Sequence, residues 1–207
     1  MRRFGYRLAL AILCCAQLSS VANAADPRYP DWPCAQAKVP DISVAAVWDG
    51  PPVEDVANGW RSELEVKDLV SQLAARRTPM EEAQKSIADF LTVDEPMRAK
   101  RGTLLFAGLF ETLNGQRSEI MNGLERLARR EKALAEQIRS DTTDLYELQD
   151  KSPGDHTRID ELITRVQWNT RIFEERRQSI RYACEIPIII ERRLFALSRA
   201  IQQAMEQ

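Results

Sequence analysis

The chain has 207 residues, with 29 Lys and Arg against 31 Asp and Glu, a formal net charge of −2. Removing the first 24 residues takes away three basic side chains and no acidic one, leaving 26 against 31, or −5. That balance excludes the clustered basic excess of a nucleic-acid footprint, and the interspersed signs along the chain are those of solvated helix faces.

Residues 1–24 read as a signal peptide. Arg2, Arg3 and Arg7 form a basic start, residues 8–18 form an apolar stretch too short to span a bilayer, and Ala22-Asn23-Ala24 supplies the small residues of a cleavage site. Cleavage after Ala24 would leave 183 residues. Cys14 and Cys15 fall in the apolar stretch; Leu13 stands where a lipoprotein signal carries a small residue, so both are taken as ordinary members of it. The rest of the chain holds no second apolar stretch of membrane length, and an exported, periplasmic or secreted protein is expected.

Residues 25–57 form the first segment of the mature chain. Pro27, Pro30, Pro33 and Pro40 each fix their own φ and extend the residue before, so this part is expected to run extended over the body. Residues 41–48 are too short a run to tell a helical turn from a strand. Helical periodicity begins at Trp60, with Leu64, Val66, Leu69, Val70, Leu73 and Ala74 on one face. Thr78-Pro79-Met80-Glu81 reads as a capping box, opening a helix with Met80, Ala83, Ile87, Phe90 and Leu91 on one side.

Asp94, with Glu95-Pro96 behind it, is expected to cap a third helix that runs to about Asp150. Phe106, Leu113, Ile120, Leu127 and Leu134 recur every seven residues, and Phe110, Leu124, Ile138 and Leu145 add a second row, the pattern of a coiled-coil seam. Gly102, Gly108, Gly115 and Gly123 within it are expected to allow close packing rather than a bend. The run breaks at Lys151-Ser152-Pro153-Gly154-Asp155. A fourth helix then extends from Asp155 towards Gln207, with Ile159, Val166, Phe173 and Ile180 in heptad step and a kink at Pro187. Paired antiparallel about the turn, the partners' numbers sum to roughly 305, which sets Cys184 near Met121 and Leu197 near Gly108. The expected fold is all-α: residues 58–207 form a small helical bundle rooting a long antiparallel coiled-coil hairpin, preceded by the extended Pro-rich N-terminal segment. Residues from Ile186 to Ile201, Phe195 among them, are apolar on more than one face and are expected to be buried on several sides.

Two cysteines, Cys34 and Cys184, remain after cleavage and are expected to form one disulfide; intermolecular pairing or a reactive thiol is the alternative. Neither belongs to a C-x-x-C, and the only histidine, His156, lies far from both, near the turn, so no metal centre is expected. Ser152 and His156 make no triad, and phosphate loops, haem motifs and other cofactor signatures are absent from the sequence. No catalytic residue is assigned.

Arg117, Glu131, Asp141 and Asn169 fall on the predicted seam, where they either fix the register or reach sideways to solvent. Trp168, with Ile172 one turn later, lies on the outer side and is a candidate partner contact; it could equally lie over neighbouring Arg and Gln stems or pack in a homodimer. Tyr146 marks the tip as a second candidate contact. Trp48, Trp60 and Phe195 mark the place where a ligand or substrate would enter the base.

The stretch Asp31-Trp32-Pro33-Cys34, with Val39-Pro40 and Trp48-Asp49-Gly50-Pro51, resembles an uncharacterised family of bacterial exported helical proteins. Ala183-Cys184-Glu185-Ile186-Pro187 and Arg193-Leu194-Phe195-Ala196-Leu197 extend the likeness to the other end of the chain. The resemblance implies export and a helical fold, and no activity. The expected function is a non-enzymatic interaction protein, an adaptor, scaffold or holdase, whose partner is a cell-envelope protein or a second copy of itself. A self-assembling structural module, or a ligand-binding or enzymatic base, are the alternatives.

Overall fold

The computed structural model describes residues 26–54, 56 and 59–206. Residues 1–24, expected to be a signal peptide and containing Cys14, Cys15 and the expected cleavage site, lie outside the described residues. Within them the chain is all-helical: α1 (Leu64–Ala74), α2 (Met80–Phe90), α3 (Glu95–Lys151), α4 (His156–Ala183) and α5 (Ile186–Met205), preceded by one 3-10 turn at Val44–Ala46.

The core surrounds the first third of α3. Every residue from Gly102 to Leu109 is buried, because α1 packs against α3, α5 packs against it as well, and α2 covers α5. Val70 and Leu73 of α1, Ile87 of α2, Leu105, Phe106 and Leu109 of α3, and Leu194, Leu197 and Ile201 of α5 share one apolar cluster. Close approach explains two of the glycines. A Cβ on Gly108 would lie 2.7 Å from Val70 and 2.9 Å from the Trp60 ring, and one on Gly102 would lie 2.3 Å from the Met205 sulfur. Gly115 and Gly123 meet no such neighbour, so the close-packing expectation fails for them.

Three local details differ from the sequence reading. Leu64 opens α1 and is largely exposed rather than part of its apolar face. Thr78 does not cap α2; its hydroxyl donates to the Gln72 carbonyl at 2.8 Å, satisfying an orphan acceptor at the end of α1, and Pro79 takes the cap position. Arg193 adds to this end, donating Nε to Leu73 O at 2.8 Å and Nη2 to Thr78 O at 3.0 Å. The fourth helix is two helices. α4 stops at Ala183, and Pro187 lies in the first turn of α5, where its missing N–H removes no intrahelical bond.

α3 and α4 run antiparallel. Arg165 meets Asp141 and Arg176 meets Glu131, and Glu191 of α5 continues the series onto Arg117; the paired numbers add to 306, 307 and 308. The buried column on α3 is Arg117, Met121, Leu124, Ala128 and Glu131. Ile120 and Leu127, on the predicted seam, are half-buried beside it. The predicted seam thus holds at Leu113, Arg117, Leu124, Glu131 and Asp141, and shifts by one residue only where Met121 and Ala128 are buried in place of Ile120 and Leu127. Arg117, Glu131 and Asp141 turn inward rather than sideways to solvent.

The chain before α1 tracks α3 in the opposite direction. Lys132 binds Pro30 O and Asp31, at 2.6 and 2.8 Å, Lys38 binds Glu125 at 2.6 Å, Arg117 donates to the Val39 and Pro40 carbonyls, and Trp48 stacks on Phe106 with centroids 4.1 Å apart. Cys34 and Cys184 form a disulfide, Cα–Cα 5.6 Å, which joins this segment to the α4–α5 junction. Leu124, Ile180 and Cys184 make a small second core there, with Trp32 packed against it.

Candidate interaction surface

The candidate contacts all lie on the α3–α4 pair. α4 faces α3 with Ile159, Leu162, Val166, Asn169, Phe173 and Ile180, all buried or half-buried, so its outer faces are left for solvent. Trp168 is 62% exposed and Tyr146 is 67% exposed. Ile172 is half-buried, so the expected pair of fully exposed side chains is one exposed indole beside a partly covered isoleucine. Tyr146 and Trp168 do not come together. The 306 register sets Tyr146 level with position 160 of α4, eight residues or ~12 Å of helix from Trp168.

Trp168 borders a shallow groove with Thr157, Asp160, Glu161, Thr164 and Arg165, all on α4. Arg165 anchors its edge. Its Nε and Nη2 donate to the two carboxylate oxygens of the buried Asp141, at 2.9 and 2.7 Å, and Gln137 adds a third bond at 2.9 Å. These bonds, first that from Arg165, hold the Asp141 carboxyl below its ordinary range and raise Arg165 in return. Asp141 is therefore a carboxylate that stabilises the pairing and holds Arg165 in place beside Trp168.

At the tip, Asp155 caps α4 by accepting from Arg158 N, and Ser152 ends α3. His156 is exposed at the first position of α4. Lys151 lowers the Glu147 carboxyl by an i,i+4 hydrogen bond. No group of three or more His, Cys, Asp or Glu among the described residues is placed to hold a metal ion.

At the base, Trp48 and Trp60 are core residues. Trp48 donates its indole N–H to Pro51 O at 2.8 Å and Trp60 donates to Glu111 at 3.0 Å. The Glu111 carboxyl is also held by Arg61, and that bond first lowers it below the ordinary carboxylate range. Phe195, expected to be buried, is instead 46% exposed. It lines a shallow apolar groove with Val39, Ile42, Val47 and Arg192, between α5 and the segment before α1. Sequence reasoning missed this groove because it is built from residues some 150 positions apart.

No family model matches the chain, and no curated protein or solved structure matches it. The likeness of the two chain ends to exported helical proteins therefore rests on those residues alone. Among the described residues, no helix is long and apolar enough to cross a membrane.

Proposed function

We propose that the protein is a non-enzymatic interaction protein of the cell envelope, an adaptor, scaffold or holdase, exported by residues 1–24 and using the α3–α4 coiled-coil hairpin as its contact surface. The observation that carries this reading is the exposure of Trp168 and Tyr146 on helices whose inner faces are already packed against each other. A large aromatic left in water on a helix face is the residue type that anchors protein interfaces. The disulfide supports an oxidising compartment, since such bonds persist outside the reducing cytosol.

A photoreactive residue placed at Trp168, and separately at Tyr146, tests the reading in the native envelope. One recurring heterologous product identifies an adaptor and its partner, and many weak products identify a holdase. Products with the protein itself favour a self-assembling module. No product from either position defeats the hairpin as contact surface and moves attention to the groove beside Phe195.

A further inference from the structure

The base has an apolar core, and the distal hairpin has almost none. From Glu131 out to the turn and back to Arg176, three side chains are buried: Glu131, Asp141 and Leu162. Two of the three are carboxylates, and Asp141, at 1% exposure, is the most deeply buried. Leu134, Ile138, Leu145, Ile159, Val166 and Phe173 stay half-buried. Two helices without a third cover only part of each other's apolar stripe. A region with so few buried apolar side chains has low local stability, and its closure depends on the polar pairs that cross it.

Each buried carboxylate is met from α4. Asp141 accepts from Arg165 Nε and Nη2, with Gln137 on its own helix; Asp144 and Glu161 are the other charges close to that guanidinium. Glu131 accepts from Arg176 at 3.4 Å through Oε1, and its Oε2 is buried with no partner among the described residues. The charges beside it on α3, Arg129 and Lys132, are held by Asp31 of the segment before α1. On α4, Glu174 and Glu175 beside Arg176 bind Arg177 and Arg171. Arg165 and Arg176 are half-exposed, so acid reaches both pairs. Protonating the carboxylate of a buried pair removes the attraction and leaves the seam with an unanswered cation, which is strongly destabilising. The arms as a whole push the same way. Residues 131–176 hold seven Lys and Arg against 11 Asp and Glu, with His156, so protonation carries them from −4 towards +8.

The base is held chiefly by groups that do not titrate. Leu105, Leu109, Leu194, Leu197 and Ile201 are fully buried, Cys34–Cys184 closes the α4–α5 junction, and Arg117 keeps the Pro40 and Val39 carbonyls whatever the charge on Glu191. We infer that the distal hairpin is an acid-released clamp, whose two arms part on acidification and uncover their apolar inner row while the base stays folded. The inference goes beyond the contact reading and does not rest on it, since it concerns the inner faces of α3 and α4 rather than Trp168 or Tyr146.

Hydrogen exchange of the full mature chain, read by mass spectrometry and corrected for the intrinsic rate, separates the two parts. Between pH 7 and ~pH 3, protection of residues 131–176 is expected to fall roughly a hundredfold, and that of residues 102–109 by less than about tenfold. Spin labels on Glu136→Cys and Thr170→Cys, exposed positions level with each other in the 306 register, are expected to move from one short distance to a broad, longer distribution. A variant with Glu131→Leu, Asp141→Leu, Arg165→Leu and Arg176→Leu replaces both pairs by apolar contact. Its arms are expected to keep their protection at ~pH 3 to within about tenfold. Arms that stay protected in the parent chain at ~pH 3, or a base that loses protection together with them, would overturn the inference. So would a leucine variant that opens as the parent does.

Discussion

Arg117 and Glu191 form an ion pair between α3 and α5 at 2.6 Å in which the guanidinium is buried and the carboxylate half-exposed. The same guanidinium donates to the Pro40 carbonyl at 3.0 Å and to that of Val39. One side chain thus joins α3, α5 and the segment before α1, using the fork geometry that a lysine lacks. Arg117→Leu is expected to lower unfolding free energy by about 3 kcal/mol, because it removes three bonds made by a buried guanidinium and leaves two carbonyls without their donor. Arg117→Lys should recover less than half of that loss. Glu191→Gln should cost under about 1 kcal/mol, since its carboxylate reaches water. Urea unfolding midpoints of the three variants check the order.

The Asp141–Arg165 pair predicts the pH dependence. Asp141 has its carboxyl held below the ordinary 3.8, by the Arg165 hydrogen bond above all, and Lys132 does the same for Asp31. A depressed folded-state pKa means that the unfolded chain binds more protons between the two values, so stability rises with pH there. The contribution is complete above the unfolded pKa and is lost as pH falls through the folded one. Thermal melts are expected to change little between pH 7 and ~5 on this account and to fall below ~4. Asp141→Asn should start less stable at pH 7 and fall less steeply on acidification. Equal slopes in the two proteins would show that Asp141 does not carry the effect.

Gly108 and Gly115 make a matched contrast on one helix. Alanine gains about 1 kcal/mol over glycine in a helix interior, and at Gly115 the added Cβ meets nothing within 4 Å. Gly115→Ala is expected to stabilise by up to that amount. At Gly108 the same Cβ would lie 2.7 Å from Val70 and 2.9 Å from Trp60, both in the core. Gly108→Ala is expected to destabilise by about 1 to 3 kcal/mol, the usual range for overpacking. Differential scanning calorimetry should move the two melting temperatures in opposite directions.

The disulfide spans 150 positions of sequence. On a chain-entropy argument, closing a loop of that size in the unfolded state stabilises by about 5 kcal/mol, an upper figure. Reduction, or Cys34→Ser with Cys184→Ser, is expected to lower the denaturation midpoint by a large part of this. Thiol titration of the unfolded, unreduced mature protein should find neither cysteine free. Two titrating thiols would show that the bridge is not formed.

Apolar periodicity and the chain break before α4 were legible in the sequence, whereas the cap of α2 was not. The α2 face of Ala83, Ile87, Phe90 and Leu91 is buried as its spacing requires, and α3 ends at Lys151 because Pro153 lacks an N–H and disfavours helical backbone at Ser152 before it. Cys34 and Cys184 pair as expected from the sequence. The α3 seam was readable at Leu113, Leu124 and the charged positions, and was missed by one residue at Ile120 and Leu127, where Met121 and Ala128 are buried instead. Trp168 was legible as an outer residue; its distance from Tyr146 depends on a register that ion pairs between helices set.

The amino-acid sequence by itself determined the all-helical class, the approximate helix limits, the turn at 152–155 and the cysteine pair, because periodicity, backbone restriction and residue count act over a few neighbours at a time. Only the tertiary structure decided which charges go inside, that the chain before α1 lies along α3, that one helix becomes α4 and α5 at Cys184, and that Phe195 faces a groove. Each of these depends on a partner far away in the chain: Arg117 is buried because Val39, Pro40 and Glu191 are brought to it, and no local pattern around residue 117 encodes where those three will be.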